Sequence, residues 1–99
     1  MDQLRFDNLY DLQNFLRSRD LSFSKKIVNL IYENLNTKDE SIPIVKFVIK
    51  EDNSSIELNL DRASFISALE ENLENFIYHE NYEECSKIKE TINLLRNNN

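Results

Sequence analysis

The sequence predicts an α+β fold of a single domain, residues 1–99, with the element order ααββαα. Apolar residues recur at helical spacing in the N-terminal and C-terminal parts of the chain. Between residues 43 and 60 they alternate with polar residues instead, which is the pattern of β-strands. Ninety-nine residues can bury one hydrophobic core and are too few for two.

The N-terminal part of the chain predicts two helices. The first runs from Phe6 to Arg17, and Asp7 or Asn8 can serve as its N-cap. The second runs from Ser24 to Leu35, after the polar segment 17–20. Each helix has one apolar face. In the first helix it consists of Leu9, Leu12, Phe15 and Leu16, and in the second of Ile27, Leu30, Ile31 and Leu35.

The middle of the chain predicts a β-hairpin. Its two strands have alternating apolar residues, namely Val45, Phe47 and Ile49 in the first and Ile56, Leu58 and Leu60 in the second. The polar segment 51–54 between them supplies the turn, and Asn53 is the residue best suited to a positive φ. A two-stranded hairpin is marginally stable alone, so we expect helices or another sheet to pack on it.

The C-terminal part predicts an antiparallel helical hairpin. Asp61 is the expected N-cap of its first helix, whose apolar face consists of Phe65, Ile66, Leu69, Leu73, Phe76 and Ile77. The second helix runs from Tyr82 to about Arg96 and has Cys85, Ile88, Ile92 and Leu95 on one face. We expect Asn81 to cap this helix, with the Glu84 side chain bonding back to the Asn81 N–H as in a capping box.

Residues 66–96 resemble the UVR domain, a helical hairpin found in excision-repair subunits B and C and in some Clp chaperone ATPases and their adaptors. The family signature is approximately Phe/Tyr-Glu-x-Ala-Ala-x-Leu-Arg-Asp-x-Ile-x-x-Leu. The chain has YEECSKIKETINLL at positions 82–95, so aromatic, acidic, small, aliphatic and basic residues recur at the family's spacing. It departs at Cys85 and Ser86, where the family has two alanines, and at Phe76 and Ile77, where the family has small residues.

The resemblance implies a function in protein binding, because UVR hairpins bind other proteins and often a second copy of the same hairpin. By this analogy the partner is a larger assembly of repair, transcription or proteolysis. The expected contact residues lie around the turn and on the second helix, and they are Tyr78, Glu80, Tyr82, Glu83, Ser86 and Lys89. Tyr82 could instead serve only to pack against the hairpin turn.

Composition and charge narrow the classes of function. The chain has 40% apolar and 30% charged residues and no apolar run of the roughly 20 residues that cross a bilayer. Its start, MDQLRFDN, lacks the pattern of a secretory signal, so we expect a protein of the cytoplasm. The absence of glycine and the abundance of Asn, Ile, Lys, Phe and Tyr are the bias of an A/T-rich genome, so we expect a phage or a bacterium as the source, and the host's cytoplasm if the protein is phage-encoded. The formal net charge is −6, with most acidic residues in the C-terminal half, which makes nucleic-acid binding an unfavourable expectation.

Candidates for catalysis or metal binding are few. His79 is the only histidine and Cys85 the only cysteine, and Cys85 is expected to face the helical seam, where a buried thiol is unreactive. One histidine and one cysteine do not make a closed zinc site. We therefore expect neither enzymatic activity nor a metal or other cofactor.

Two alternatives to the adaptor hypothesis remain open at this stage. The acidic hairpin could mimic DNA, as a phage-type inhibitor that occupies a basic nucleic-acid channel. The basic residues between the first two helices, Arg17, Arg19, Lys25 and Lys26, could instead bind nucleic acid as part of a helix-turn-helix. Homodimerisation is a further expectation, because a short sheet leaves strand edges that a second copy can pair with.

Overall fold

The computed structural model describes residues 1–97 and confirms the α+β class. In chain order the elements are strand β1 (Gln3–Phe6), helices α1 (Leu9–Arg17) and α2 (Leu21–Glu33), strands β2 (Ser41–Ile49) and β3 (Ser54–Asp61), and helices α3 (Phe65–Tyr78) and α4 (Tyr82–Asn97). A short 3-10 helix, Arg62–Ser64, leads into α3. The order ααββαα was therefore incomplete, because it omits β1.

Strand β1 ends at Phe6, the residue at which the sequence pattern predicted that the first helix begins. Phe6 belongs to this strand, and α1 begins at Leu9. The Asn8 side chain caps α1, as predicted, by accepting a hydrogen bond from the Asp11 N–H at 2.9 Å. Strand β1 pairs in parallel with β2, which places Leu4 opposite Phe47. The helices α1 and α2 thus form the connection between two parallel strands.

The predicted hairpin of β2 and β3 is confirmed, and its turn has Asn53 at φ 58°. The sheet has the order β1-β2-β3, so β2 is the central strand. Its pairing with β3 is shifted by one residue between Pro43 and Val45. This bulge explains why Ile44 and Val45 are both buried although they are adjacent in the strand.

One hydrophobic core joins the sheet to all four helices. Helix α2 contributes the fully buried Val28 and Ile31, and α1 contributes Leu12. The helical hairpin contributes six buried residues to the same core, namely Phe65, Leu69, Phe76, Cys85, Ile88 and Ile92. The predicted apolar faces of α3 and α4 are confirmed for these residues, whereas Ile77 is 48% exposed.

Both ends of α2 and the predicted N-cap of α3 also differ from their prediction. Helix α2 begins at Leu21 instead of Ser24 because the Asp20 carboxylate accepts a hydrogen bond from the Phe23 N–H at 2.8 Å and so forms an N-cap. The same helix ends at Glu33, before Leu35. Asp61 precedes the 3-10 helix and its side chain makes no capping hydrogen bond, so its predicted role as the N-cap of α3 is wrong.

Candidate protein-binding surface

The turn between α3 and α4 has the geometry of a Schellman motif. Glu80 adopts the left-handed conformation with φ 58°, and its N–H donates to the Ile77 carbonyl at 3.0 Å. The Asn81 N–H donates to the Phe76 carbonyl at 2.9 Å. These two bonds satisfy carbonyl groups that the end of a helix otherwise leaves unpaired. The tight turn follows from them, and it sets the antiparallel arrangement of the two helices.

The same hydrogen bonds show that the predicted capping box is absent. The Asn81 N–H is already bonded to the Phe76 carbonyl and is not available to Glu84. The Glu84 carboxylate instead accepts a hydrogen bond from the Tyr32 hydroxyl at 3.1 Å. Helix α4 begins where the Asn81 carbonyl accepts from the Cys85 N–H at 3.2 Å. Glu84 therefore connects α4 to α2 and does not cap its own helix.

Three large apolar or aromatic side chains are exposed at this end of the hairpin. Tyr78 is 62% exposed, Tyr82 is 63% exposed and Ile77 is 48% exposed. We call these three residues the hairpin tip. They lie in the last turn of α3 and the first turn of α4, so the turn brings them near one another. Exposed tyrosines offer both apolar area and a hydroxyl group to a partner protein.

The six predicted contact residues are all exposed, but they do not share one face. Tyr82, Ser86 and Lys89 follow one line along α4, at spacings of four and three residues. Glu83 lies on a neighbouring line and, with Lys25, borders a shallow groove between α2 and α4. Tyr78 belongs to α3, and Glu80 has a backbone role in the turn. Of the six, only Tyr82, Ser86 and Lys89 therefore form a continuous ridge.

The tip is attached to the turn between α1 and α2. The Arg19 guanidinium lies over the Tyr78 ring, 4.8 Å from its centre. The Arg19 carbonyl is 2.9 Å from His79 Nε2 and accepts a hydrogen bond from Asn75 Nδ2 at 3.3 Å. Arg19 itself has φ 56°. These contacts hold Tyr78 in place without covering it.

The basic residues of the helix-turn-helix alternative do not converge on one surface. Lys26 forms an ion pair with Asp2 next to β1, and this pair lowers the pKa of the Asp2 carboxyl, chiefly through the hydrogen bond from Lys26. Lys25 borders the groove that contains Glu83, and Arg19 lies over an aromatic ring. Arg17 is exposed in the last turn of α1. Three of the four cations thus have separate neighbours, so the four do not present one basic surface to a phosphate backbone.

Comparison with known proteins adds nothing to this geometry. The chain matches no family model, no curated protein and no solved structure. The UVR-like character of residues 66–96 thus stays a prediction that depends on the residues quoted above. Within residues 1–97, every helix falls short of the length and apolar character that a membrane crossing requires. The same residues contain no group of three His, Cys, Asp or Glu side chains placed to hold a metal ion.

Two polar residues have structural roles that the sequence did not indicate. Arg62 connects the start of α3 to the loop before β2, where its guanidinium donates to the Asp39 and Asn34 carbonyls at 2.7 and 3.0 Å. Asn75 is buried between α3 and the α1–α2 turn, and its Nδ2 also donates to the Ser24 hydroxyl at 2.6 Å. Neither residue belongs to a sequence motif, because their partners are far away in the chain.

Proposed function

We propose that this chain is a small, non-enzymatic binding module that docks on a larger protein assembly through the α3–α4 hairpin. The observation that supports the proposal is the hairpin tip, with Ile77, Tyr78 and Tyr82 each about half exposed or more. Aromatic residues dominate the energetic centres of protein interfaces. The UVR resemblance favours an assembly of repair, transcription or proteolysis as the partner.

Tyr82 is the centre of the proposed contact. This residue is 63% exposed, and Ser86 and Lys89 follow it along the same line of α4. The Ser86 hydroxyl donates to the Tyr82 backbone carbonyl at 3.3 Å. The Tyr82 hydroxyl can reach a partner because the residue is mostly exposed. Lys89, Glu80 and Glu83 would surround the aromatic contact with charge and so contribute to specificity more than to affinity.

The test is an affinity purification with surface variants of the intact chain. The tagged protein would be incubated with lysate of its native host, with nuclease and at raised salt, and bound proteins identified by mass spectrometry. A specific protein captured by the wild type should be lost with Tyr82→Ala and retained with Tyr10→Ala. Tyr10 is a matched control because it is 68% exposed, on α1. Equal capture by both variants would reject the hairpin tip as the interface.

An acidic DNA mimic is the second candidate, supported by the glutamates on the exposed faces of α3 and α4. Such a mimic would bind a basic channel, and raised salt would weaken its binding steeply. Replacing Glu70, Glu83 and Glu90 together by Gln should then abolish capture, whereas Tyr82→Ala should have little effect. Glu84 is left out of this variant because it accepts the Tyr32 hydrogen bond.

Self-association is the remaining proposal about partners. Strand β3 is the last strand of the sheet, and its Ile56 is 46% exposed. A second copy could pair with this edge across a two-fold axis. Sedimentation equilibrium over a range of concentrations tests it: a dimer should appear in the wild type and be lost with Ile56→Lys. A wild type that stays monomeric at every concentration would reject it.

A further inference from the structure

A second surface lies on a different side of α3 from Ile77. Here α1, α2, β3 and α3 enclose a groove of about 510 Å³ that is open to solvent along one side. We call it the α1–α3 groove. It shares Arg19 and Asn75 with the contacts of the hairpin tip, but not Ile77, Tyr78 or Tyr82, so the inference below does not depend on the function proposed above.

The inner wall of the groove is apolar. Phe15 and Phe23 contact each other edge to face, with ring centres 5.3 Å apart. Ile27 and Leu58 line the same wall from α2 and β3. All four residues are only partly buried, and Leu16 at the border is 50% exposed. An apolar side chain placed in the groove would therefore remove apolar surface of several residues from water, which is favourable.

The border of the groove is acidic. Asp20, Glu71 and Glu74 contribute three carboxylates, against the single guanidinium of Arg19. Arg19 is already placed over the Tyr78 ring, and Glu71 and Glu74 are exposed one turn apart on α3. If a bound segment carries lysine or arginine on either side of its apolar side chain, these cations would be attracted to the carboxylates at the border.

A buried polar atom adds an independent observation. Asn75 lines the groove and is only 9% exposed. Its Nδ2 is hydrogen-bonded to Ser24 and Arg19, whereas its Oδ1 has no hydrogen-bond partner within the described residues. An unpaired buried acceptor is unfavourable.

From these features we propose that the α1–α3 groove binds a segment of another protein that carries an apolar side chain flanked by lysine or arginine. The apolar side chain packs against Phe15, Phe23 and Ile27, and the flanking cations pair with Glu71 and Glu74. A protein segment fits the open shape of the groove better than a small ligand, since pockets for small ligands cover most of the ligand's surface.

The experiment is a titration of the 15N-labelled protein, followed by NMR. The probe is a blocked peptide with one leucine and one phenylalanine between two pairs of lysines, and the control peptide has glutamate in place of every lysine. We expect the lysine peptide to shift the amide signals of Phe15, Phe23, Ile27 and Asn75 and to bind at least tenfold more tightly than the control peptide.

Matched charge variants distinguish the groove from general attraction to an acidic protein. Glu71→Lys with Glu74→Lys should weaken binding at least tenfold, whereas Glu83→Lys with Glu90→Lys, outside the groove, should change it less than twofold. Equal effects of the two variants, or shifts confined to Tyr78, Tyr82 and Lys89, would overturn the proposal. Binding of the lysine peptide that is no tighter than that of the control peptide would overturn it as well. Tyr82→Ala should leave the titration unchanged, which separates this test from that of the hairpin tip.

Discussion

Tyr32 shows how one residue connects two helices that are distant in the chain. It lies on α2, its hydroxyl donates a hydrogen bond to the Glu84 carboxylate, and its ring packs against Lys87, whose Nζ is 4.4 Å from the ring centre. Burial, together with the nearby Glu84 charge, raises the pKa of Tyr32 well above its ordinary value of 10.0. The folded state therefore keeps this proton at a pH where the unfolded chain has lost it.

This raised pKa predicts an alkaline limit to stability. The contribution of Tyr32 is fully present below the unfolded pKa of 10.0 and is lost as the pH rises toward the folded pKa. Tyr32→Phe should remove this component, so the difference in unfolding free energy between wild type and variant should shrink above pH 10. Urea unfolding at pH 7, 9, 10 and 11 measures the difference. A difference that is constant across this range would contradict the assigned pKa.

Glu80 predicts a stabilising substitution. The chain contains no glycine, and Glu80 adopts φ 58° in the turn between α3 and α4. A side chain in this conformation is unfavourable, and glycine avoids the cost while losing more entropy on folding. We expect Glu80→Gly to stabilise the protein by about 0.5–1 kcal/mol in thermal or urea unfolding. Glu80→Ala is the control: it removes the charge, keeps the Cβ and should give no such gain.

At the scale of elements, β1 is held by apolar contacts with α1 and β2. The Phe6 ring lies 5.3 Å from the Phe15 ring and 6.1 Å from the Phe47 ring, measured between centres. Phe6→Ala should therefore cost about 2–3 kcal/mol, less than for a fully buried phenylalanine. Leu9→Ala, at a neighbouring residue that is 51% exposed, should cost less than about 1 kcal/mol. Similar costs for both would mean that β1 adds little to stability.

The sequence predicts those elements that have a periodic pattern of their own. Helices α1 to α4 and strands β2 and β3 are long enough for helical or alternating spacing to be recognised. Strand β1 has four residues, and its parallel partner lies far along the chain, so no local pattern indicates it. The Schellman turn was missed for a related reason: without glycine, nothing in the sequence marks Glu80 as the left-handed residue.

The same distinction holds for the candidate surfaces. The exposure of Tyr78 and Tyr82 follows from their position next to a turn, which the sequence indicates. Ile77 was assigned to the core because helical spacing continues to it, yet α3 ends at Tyr78 and the chain turns away from the core there. The α1–α3 groove was not predictable, because four separate elements contribute to it. Its polar residue Asn75 donates a hydrogen bond to Ser24, which lies far from it in the sequence.

At the scale of the whole molecule, a single core predicts a single unfolding transition. Helix α4 contributes Ile88, which is fully buried, to the cluster that also contains Val45 of the central strand. Ile88→Ala should cost about 2–4 kcal/mol. Since the sheet and the hairpin share this core, hydrogen exchange of the variant should show that the amides of β2 and of α4 lose the same amount of protection relative to the wild type. Leu94→Ala on α4, 52% exposed, is the control and should have little effect.

Loss of protection in α4 alone would show instead that the hairpin unfolds independently of the sheet. The shared core also determines how the hairpin can be studied. A chain cut within the turn would lose Cys85, Ile88 and Ile92 from the core, so its failure to bind a partner would report unfolding. Single substitutions of exposed residues avoid this ambiguity.

The parallel pairing of β1 with β2 has a consequence for the order of folding. The β2–β3 and α3–α4 hairpins close loops of a few residues, whereas Gln3 meets Lys46 only after α1, α2 and the central strand have been brought together. Closing a long loop costs more entropy, and contacts between distant residues slow folding. We therefore expect β1 to dock last. During synthesis on the ribosome, Leu4 and Phe6 emerge before their partner residues in β2, so they stay exposed until that strand is available.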